Sequence, residues 1–585
     1  MRLRLALVIV LSSTISPKNM PYRVIPVMRT PHSVDVFDYE ADADYQAGDA
    51  VWIPFRKGKM LGIVLEKTKT SNIKNLKKIA GSYAGLQFSE DALLLSQWLA
   101  KQTFTSLPSI WKSWLRDYPK KPSNVKIHHP TKRKQTEVHA TWQTGAKQEL
   151  IAHAMRALQG NERVLIITPW KHRAAEFAAA LDIPQFTSDL NAGDTYRAWT
   201  DFASGDTPGL VTTRVGAWTG MFADRIFLDI PEQDDHKQDE LAPRFDARKI
   251  ALRLAELKRA AVGAFGLNPP LHSDETAPHI DVDCDVIVRQ RAGYSRIPMI
   301  QEVAYQRLLD EDRASAVVFH PIKFELAKLT CRDCGWHPIC KRCDYVLSSN
   351  QGEAHCKRCN NKQPMPEQCG KCGSIDLGKS MPGIDKLKRV WNERHPDIAI
   401  EWRGVSAEEL DRPLPRKALV VITDSDLLAG AEDIRKNERL CHAFRRLAAS
   451  VQEAQGTLII QTSEQSAHLW KSWLTPEGYA KWRTHERKAR ELFNYPPSQR
   501  VIKVLMDGTE AKIFDWMHKA EKTFGKEITT RGPFEVPFRT KGSSKRYCLH
   551  LLPTENKLTE DFLDRLAKLI TEKMYIDLDP VAFFR

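Results

Sequence analysis

Four CxxC pairs constrain this chain more than any other feature. Cys331/Cys334, Cys340/Cys343, Cys356/Cys359 and Cys369/Cys372 gather eight of its 11 cysteines into residues 331–372. Each CxxC turn aims two thiolates at one ion, and two such turns complete the tetrahedral sulfur set of a closed structural zinc site, so the pattern predicts two zinc ions. Gly370 and Gly373 in CGKCG suit the tight turns of a zinc knuckle. The competing reading, a disulfide framework, belongs to small secreted scaffolds rather than to a basic chain of 585 residues. Four sulfurs per ion leave no open coordination position, which makes the expected role structural.

The length and a hydrophobic content of 42% predict several domains with substantial cores. No apolar run approaches a membrane span. The 87 Lys+Arg against 73 Asp+Glu, a formal charge of +14, favour a polyanionic partner, nucleic acid foremost. Arg2 and Arg4 before the apolar run Leu5 to Leu11 imitate a short signal peptide, but no clear small-residue cleavage pattern follows. Met20 then opens a strand-like segment, so residues 1–19 are read as an upstream extension of the reading frame and the protein as cytoplasmic.

Periodicity divides the rest. Residues 22–82 alternate as a small β-rich module, with strands at 51–55 and 62–66 and a turn at 47–49. Helical spacing runs from Ser89 to Leu115, and residues 117–138 mix Lys and Arg with proline as a solvated tether. VLIITP (164–169), GLVTTR (209–214) and RIFLD (225–229) are expected parallel strands of an α/β sheet. A second α/β unit, with strands in 281–288, 418–426 and 456–462, flanks the cysteine cluster.

Several of these blocks resemble, in the same order, the PriA family of replication-restart helicases. CRDCGWHPICKRC (331–343) resembles that family's zinc insertion; VFDYEADADYQAGDAVWIPFRKGKMLGIVLE (36–66) its amino-terminal DNA-binding domain; HKQDELAPRFDARKIALRLAE (236–256) the stretch after its acidic motif; YPPSQRVIKVLM (495–506) and IDLDPVAFF (576–584) its carboxy-terminal domain. The resemblance implies a multidomain α/β protein with two RecA-like helicase lobes. Its parts are a 3′-end DNA-binding domain at 20–84, a helical segment and basic linker at 85–138, lobe 1 at 139–275, the start of lobe 2 at 276–330, a two-zinc module at 331–372, the rest of lobe 2 at 373–475 and an α+β domain at 476–585. It also implies a nested pairing, with Cys331, Cys334, Cys369 and Cys372 on one zinc and Cys340, Cys343, Cys356 and Cys359 on the other.

ATP chemistry is where the sequence departs from the family. A P-loop GxxxxGK[ST] uses glycines for close backbone approach to phosphates, Lys for the β and γ oxygens and a hydroxyl for magnesium. The corresponding TWQTGAKQ keeps Lys147 but has Thr141 and Ala146 at the glycines and Gln148 at the hydroxyl. The acidic motif DEEH corresponds to Asp229-Ile230-Pro231-Glu232, with only its first carboxylate retained. Lys147 and Asp229 are thus the remnants of a degenerate nucleotide site that would hold ATP and magnesium poorly. GLNPPLHS (266–273) matches the coupling motif in outline, and Arg445 and Arg446 fall one helical turn before the arginine element, on what is expected to be a solvated face.

The resemblance assigns a 3′-end pocket to Phe37, Asp38, Tyr39 and Lys77, with Arg56 where the family usually has glycine. It implies fork and branched DNA with 3′ ends as ligand, with primosome and helicase-loading factors and single-strand DNA-binding protein as partners, no membrane, and a monomer. The segment after Leu115 is too short for the family's winged-helix domain. The function implied is fork recognition and primosome assembly without unwinding. Alternatives from other classes are an active ATP-driven 3′–5′ helicase with an unusual P-loop, a zinc-ribbon protein–protein adaptor, and a nucleotide-binding sensor that does not hydrolyse. Remaining conspicuous residues have structural readings: Cys284, Cys441 and Cys548 as inert thiols, Asp424 and Asp426 as loop caps, His128 and His129 as exposed linker, and Trp111, Trp114, Trp470 and Trp473 as core.

Overall fold

The computed structural model describes residues 20–31, 35–116, 118–120, 124–130, 137–257, 260–288, 297, 299–310, 315–322, 327–331, 336, 338–342, 347–350, 353–356, 361–379, 383–425, 433–462, 467–539, 545–571 and 574–583. Residues 1–19, Cys334, Cys343, Cys359 and Asp426 lie outside them. The chain forms two compact units, residues 1–139, 151–228 and 235–263 in the first and 140–150, 229–234 and 264–585 in the second.

The first unit begins with the alternating segment. Strands β1 (Tyr22–Pro26), β2 (Phe37–Glu40), β3 (Asp49–Phe55), β4 (Gly58–Lys67), β5 (Lys77–Lys78) and β6 (Gly81–Gln87) form one sheet in the order β5-β2-β1-β4-β3-β6. Every second side chain enters a core of Tyr22, Val24, Tyr39, Val51, Ile53 and Val64, as a pleat of period two requires. Phe37 pairs in register with Val24 and Asp38 with Arg23, so Phe37 and Tyr39 take the core side and Asp38 the other. The expected turn before β3 depends on Gly48, at φ +92, where a Cβ would lie 1.9 Å from the Phe88 carbonyl oxygen.

Two capped helices follow. α1 (Glu90–Thr103) starts at Ser89, whose side chain accepts from the Ala92 N–H, with Glu90 and Asp91 in the first turn; α2 (Leu107–Trp114) starts at Ser106 with Pro108 just inside. An α/β segment comes next: β7 (Val138–Trp142), α3 (Ala146–Gln159), β8 (Val164–Ile167), α4 (Lys171–Leu181), β9 (Gln185–Phe186), α5 (Ala192–Ser204), β10 (Gly209–Thr212), β11 (Arg225–Asp229), α6 (Ala247–Glu256) and β12 (Ala261–Gly266). Its sheet order is β7-β12-β11-β8-β10-β9, with β8, β10 and β11 parallel as expected and the short β9 joining them in parallel. Within the first unit the two sheets are joined by indoles. Trp114 stacks on Trp218 at 5.7 Å with the rings 10° apart, and Trp199 lies 5.5 Å from Trp218. Each such pair adds about 0.5–1.5 kcal/mol beyond its buried area.

Where it is described, at 118–120 and 124–130, the basic linker is packed against the first unit rather than a solvated tether. Tyr118 packs against Trp52 and Tyr83, the Tyr83 hydroxyl donates to the Pro119 carbonyl at 3.1 Å, and the Val125 N–H donates to Ala84 O at 2.9 Å. Farther along, His128 N–H reaches Ala203 O. One tyrosine ring and a few backbone bonds anchor a segment whose composition reads as polar.

In the second unit, β13 (Asp283–Val288), α7 (Glu302–Leu309) and β14 (Ser315–Phe319) lead into the cysteine segment, formed by β15 (Ala327–Cys331), β16 (Ser348–Asn350), β17 (Glu353–His355), β18 (Lys362–Gln363) and β19 (Leu377–Lys379). These five make a separate antiparallel sheet. Then come α8 (Ile384–Arg394), β20 (Glu401–Arg403), α9 (Ala407–Asp411), β21 (Ala418–Ile422), α10 (Lys436–Glu453), β22 (Thr457–Thr462), α11 (Ala467–Leu474) and α12 (Pro476–Leu492). β13-β22-β21-β14-β20 is a parallel sheet buried on both sides: Val317, Phe319, Val420 and Ile460 face one core, and Val318, Leu419, Val421 and Ile459 the other. The chain closes with β23 (Ile502–Gly508), α13 (Glu510–Phe524), β24 (Ile528–Arg539), β25 (Lys545–Pro553), α14 (Glu560–Lys568) and β26 (Met574–Leu578), an antiparallel sheet carrying two helices that meet through Phe524 and Phe562 at 4.5 Å.

Candidate functional site

One end of the N-terminal sheet collects the residues expected to hold a 3′ end. β5 runs alongside β2 with Lys77 opposite Tyr39, and the β3–β4 hairpin approaches from the other direction. The Phe37 and Phe55 rings lie 6.2 Å apart, tilted by 44°, and the Tyr39 hydroxyl donates to the Pro54 carbonyl at 3.4 Å. Tyr39 is 5% exposed, and burial raises the pKa of its hydroxyl, so it forms the floor of this end. Phe37 is half-buried, leaving part of its ring accessible. Asp38 accepts from the Ser71 hydroxyl at 2.6 Å, and Lys77 is exposed. The arrangement offers a ring face for a base, a carboxylate for hydrogen bonds and a cation for a phosphate.

At the position of the nucleotide motifs the chain does something else. β7 continues through Thr141 and Trp142, and the Gln143 N–H donates to Gly266 O at 3.0 Å. Only residues 143–145 remain to connect β7 to α3, and Lys147 is the second residue of that helix. Gly145, at φ +72, is the single left-handed residue in that connection. A phosphate cradle needs several backbone N–H groups turned to one anion; here one of them is already spent inside the sheet. The ground above the strand ends is also occupied. A Cβ on Gly266 would lie 2.6 Å from Glu232 Oε2, 2.7 Å from the Trp142 ring and 3.0 Å from Pro231.

The acidic segment is tied down residue by residue. Asp229 is buried at the end of β11, and Ile230 follows at φ +48. Glu232 Oε1 accepts from the N–H groups of Leu267 and Asn268 and from Asn268 Nδ2 at 3.4, 3.2 and 3.1 Å. Burial raises the pKa of Glu232, with Arg446 and these donors opposing the shift. Asn268 Oδ1 in turn accepts from Arg445 Nε at 2.9 Å. Asp234 binds Arg435 at 2.6 Å and Arg439 at 2.8 Å; Arg435 binds Glu438 at 2.9 Å, and Glu438 binds Arg490 at 3.0 Å. Burial disfavours charge on Asp234 and Glu438, but the facing guanidiniums overcome it and hold both carboxyls below their ordinary values.

The cysteine segment brings sulfurs together. The Sγ atoms of Cys331, Cys369 and Cys372 all lie within 4.8 Å of one another, with Cys331 and Cys372 at 3.6 Å. Tetrahedral zinc with sulfur at about 2.3 Å separates its ligands by about 3.8 Å, so this donor set fits a metal ion. The N–H groups of Lys371 and Cys372 point at Cys369 Sγ at 3.3 and 3.4 Å, favouring the thiolate. The same turn recurs at three cysteines: the N–H of Cys331, Cys356 and Cys369 donates to the carbonyl of Trp336, Asn361 and Ser374, each five residues on. Gly370 admits the Trp336 ring, which a Cβ would meet at 2.8 Å. Cys340 and Cys356 are buried with Leu347 and Ala354, and Cys340 Sγ receives the Arg342 N–H at 3.3 Å.

Comparison with known proteins supplies the relationship. The family model for the PriA 3′DNA-binding domain (3′BD) matches residues 26–116, which run from the end of β1 through α2. The replication restart protein PriA of Synechocystis sp. is 23% identical over 67% of this chain and 55% of its own; that of Haemophilus influenzae is 22% identical over 75% and 68%, and that of Rickettsia conorii 20% identical over 93% and 97%. The chain is thus similar to PriA proteins over most of its length and carries a match to their 3′DNA-binding domain. It spans about half the length of the Synechocystis PriA. The crystal structure of the DUF1998 helicase MrfA bound to DNA aligns with 77% of this chain and 56% of its own at 11% identity and a TM-score of 0.27, which carries no argument about fold.

Against PriA-type motifs, sequence reasoning missed the ion-pair cluster of Asp234, Arg435, Glu438, Arg439 and Arg490, whose members are scattered over 257 positions and match no motif. The solvated face expected for Arg445 and Arg446 is wrong. Arg445 is fully buried, lies 4.6 Å from the Tyr479 ring centroid and donates to the carbonyls of Pro278 and Trp473; Arg446 is 8% exposed. Neighbouring carbonyls and a ring make burial of a guanidinium tolerable, and periodicity alone does not show them. Asp424, read as a loop cap, is buried. The thiols of Cys284, Cys441 and Cys548 are buried with pKa values pushed up by desolvation, to about 12 for Cys284 and Cys548, which agrees with the inert reading. The four tryptophans expected in cores are all buried.

Proposed function

We propose that this chain is a replication-restart protein that binds branched DNA by a 3′ end and initiates primosome assembly without ATP-driven unwinding. The observation that carries the reading is the 3′BD match over residues 26–116, supported by the sheet end that carries Phe37, Phe55, Tyr39 and Lys77, with Asp38 on the other side of β2. Phe37 would stack the terminal base, Asp38 would accept hydrogen bonds from that base or from the 3′ hydroxyl, and Lys77 would face a phosphate. The two parallel-type sheets would be degenerate RecA-like lobes. Trp142, Pro231 and Glu232 crowd the strand ends, and the loop at 143–145 is short, which supports a site unable to hold ATP and magnesium productively. Lys147 and Asp229 then act in packing rather than catalysis.

In the same reading Cys331, Cys334, Cys369 and Cys372 would hold one zinc ion, and Cys340, Cys343, Cys356 and Cys359 a second. Zinc in such sites supplies folding energy. The protein would act in the cytoplasm as a monomer, recruiting helicase-loading factors and single-strand DNA-binding protein to the fork.

Fork binding measured over a salt series, with ATP turnover recorded in the same samples, tests this. Tight binding with a steep salt dependence and no DNA-stimulated hydrolysis above background is expected, and Lys147→Ala should leave fork affinity unchanged. Hydrolysis that disappears in Lys147→Ala would overturn the silent-motor reading. Absence of fork affinity would overturn the DNA reading.

A further inference from the structure

Three cations on the strands of the N-terminal sheet are matched: Arg23 pairs with Glu66 at 2.9 Å, Lys67 with Asp44 at 2.8 Å and Lys78 with Asp42 at 2.7 Å. At the aromatic end, Arg56, Lys57, Lys59 and Lys77 are exposed and pair with no carboxylate among the described residues. Unpaired cations gathered around accessible rings are the arrangement that single-stranded nucleic acid meets.

Arg56 stands out within this group. It opens the two-residue connection between Phe55 and Gly58, which are paired in register, at φ +51. A tight hairpin needs positive φ there, and glycine, asparagine or aspartate meets that need with less strain than arginine. Its guanidinium lies 5.7 Å from the Phe55 ring centroid, and Phe55 lies 6.2 Å from Phe37. A guanidinium laid on a ring keeps its N–H edge available for two parallel bonds to phosphate oxygens.

We infer that Arg56 is a further DNA-contact residue, gripping the internucleotide phosphate next to a 3′-terminal base stacked on Phe37. Lys77, across the rim on β5, supplies the second cation. The ligand is a single DNA strand presenting a 3′ end, and the inference rests on the fork-binding reading above. Arg56 thereby replaces backbone closeness at the hairpin tip with a charged contact.

The test uses the full chain with Arg56→Gly and Arg56→Lys, and two probes: a fork with a leading-strand 3′ end at the junction and the same fork without that strand. Arg56→Gly should lose about tenfold in affinity for the first probe, the loss of one charge-assisted contact. Its salt slope should fall by about one, and the loss on the second probe should be much smaller. The thermal midpoint should stay level or rise, because glycine relieves the positive φ, which separates lost contact from lost fold. Arg56→Lys should keep the slope and recover only part of the affinity. Unchanged affinity and slope in Arg56→Gly, or an equal loss on both probes, would overturn the inference while the fork reading stands. An unmodified chain that does not distinguish the two probes would overturn both.

Discussion

The segment after β11 and the aromatic end of the N-terminal sheet treat charge in opposite ways. In the first, Asp234, Arg435, Glu438, Arg439 and Arg490 are largely buried and satisfy one another, and Glu232 is engaged by Leu267 and Asn268. In the second, Arg56 and Lys77 are exposed with no carboxylate partner among the described residues. A buried charge whose partners are all protein atoms has little left for a ligand, and removing one partner strands the others. An exposed cation beside a ring loses little when it stands alone in water and gains when an anion arrives. The contrast separates charges that hold the fold from charges open to an anion, which under the proposed function would be DNA.

Metal removal would produce the largest effect. In the cysteine segment backbone N–H groups point at the sulfurs of Cys340 and Cys369, and structural zinc contributes roughly 10 kcal/mol or more to such sites. Two zinc ions per chain are expected by metal analysis of protein purified under reducing conditions. Cys340→Ser should lose one ion and render residues 331–372 sensitive to protease, and a count of one zinc or none in the unaltered chain refutes the assignment.

Asp234→Ala comes next. It leaves Arg435 and Arg439 without their shared carboxylate, and the cost of stranding buried charge is about 3–5 kcal/mol. Denaturant unfolding should show the loss while affinity for fork DNA in the folded protein is retained. If stability is unchanged, the cluster is a bystander and the contrast drawn above collapses.

A smaller effect follows from His442. It is buried against Tyr479, its Nε2 3.2 Å from the tyrosine hydroxyl, and desolvation pushes its pKa down to about 3. Its ordinary value is 6.5. Because the folded value lies below the unfolded one, the unfolded chain binds the proton more readily, so stability is complete above pH 6.5 and declines as pH falls toward 3. Asp234 and Glu438 add losses of the same sign, but only below the ordinary carboxylate range. Between pH 6.5 and about 4.5 the decline attributable to His442 should amount to about 2–3 kcal/mol. His442→Gln should flatten that window in a pH series of unfolding midpoints; an unaltered slope would assign the proton elsewhere.

The smallest effect lies at the rim. One Asp38 oxygen is engaged by Ser71, and its negative charge should oppose a 3′ phosphate. A fork ending in a 3′ hydroxyl is therefore expected to bind up to about tenfold more tightly than one ending in a 3′ phosphate, with Asp38→Ala abolishing the preference and leaving most salt-dependent affinity intact. Equal binding of both termini by the unmodified chain returns Phe37-Asp38-Tyr39 to a strand-end aromatic cluster.

Local patterns in the sequence were enough for much of this. CxxC spacing marks the cysteine segment because two thiolates on one turn are a short-range geometric unit, and the described sulfurs of Cys331, Cys369 and Cys372 do meet. Strands at 51–55, 62–66, 164–167 and 209–212 are legible because pleating and burial act on neighbouring residues. The same period puts Phe37 and Tyr39 on one side of β2 and Asp38 on the other. The departure of residues 141–148 from the P-loop pattern is also visible in one dimension. Tertiary structure alone decided the long-range contacts: that Asn268 would bridge Glu232 and Arg445, that Arg435 and Arg439 would converge on Asp234, and that Tyr118 would pin a basic linker. Those contacts join residues 36 to 205 positions apart. Their energy depends on burial and on which polar groups the fold brings together, and neither quantity exists until the chain has folded.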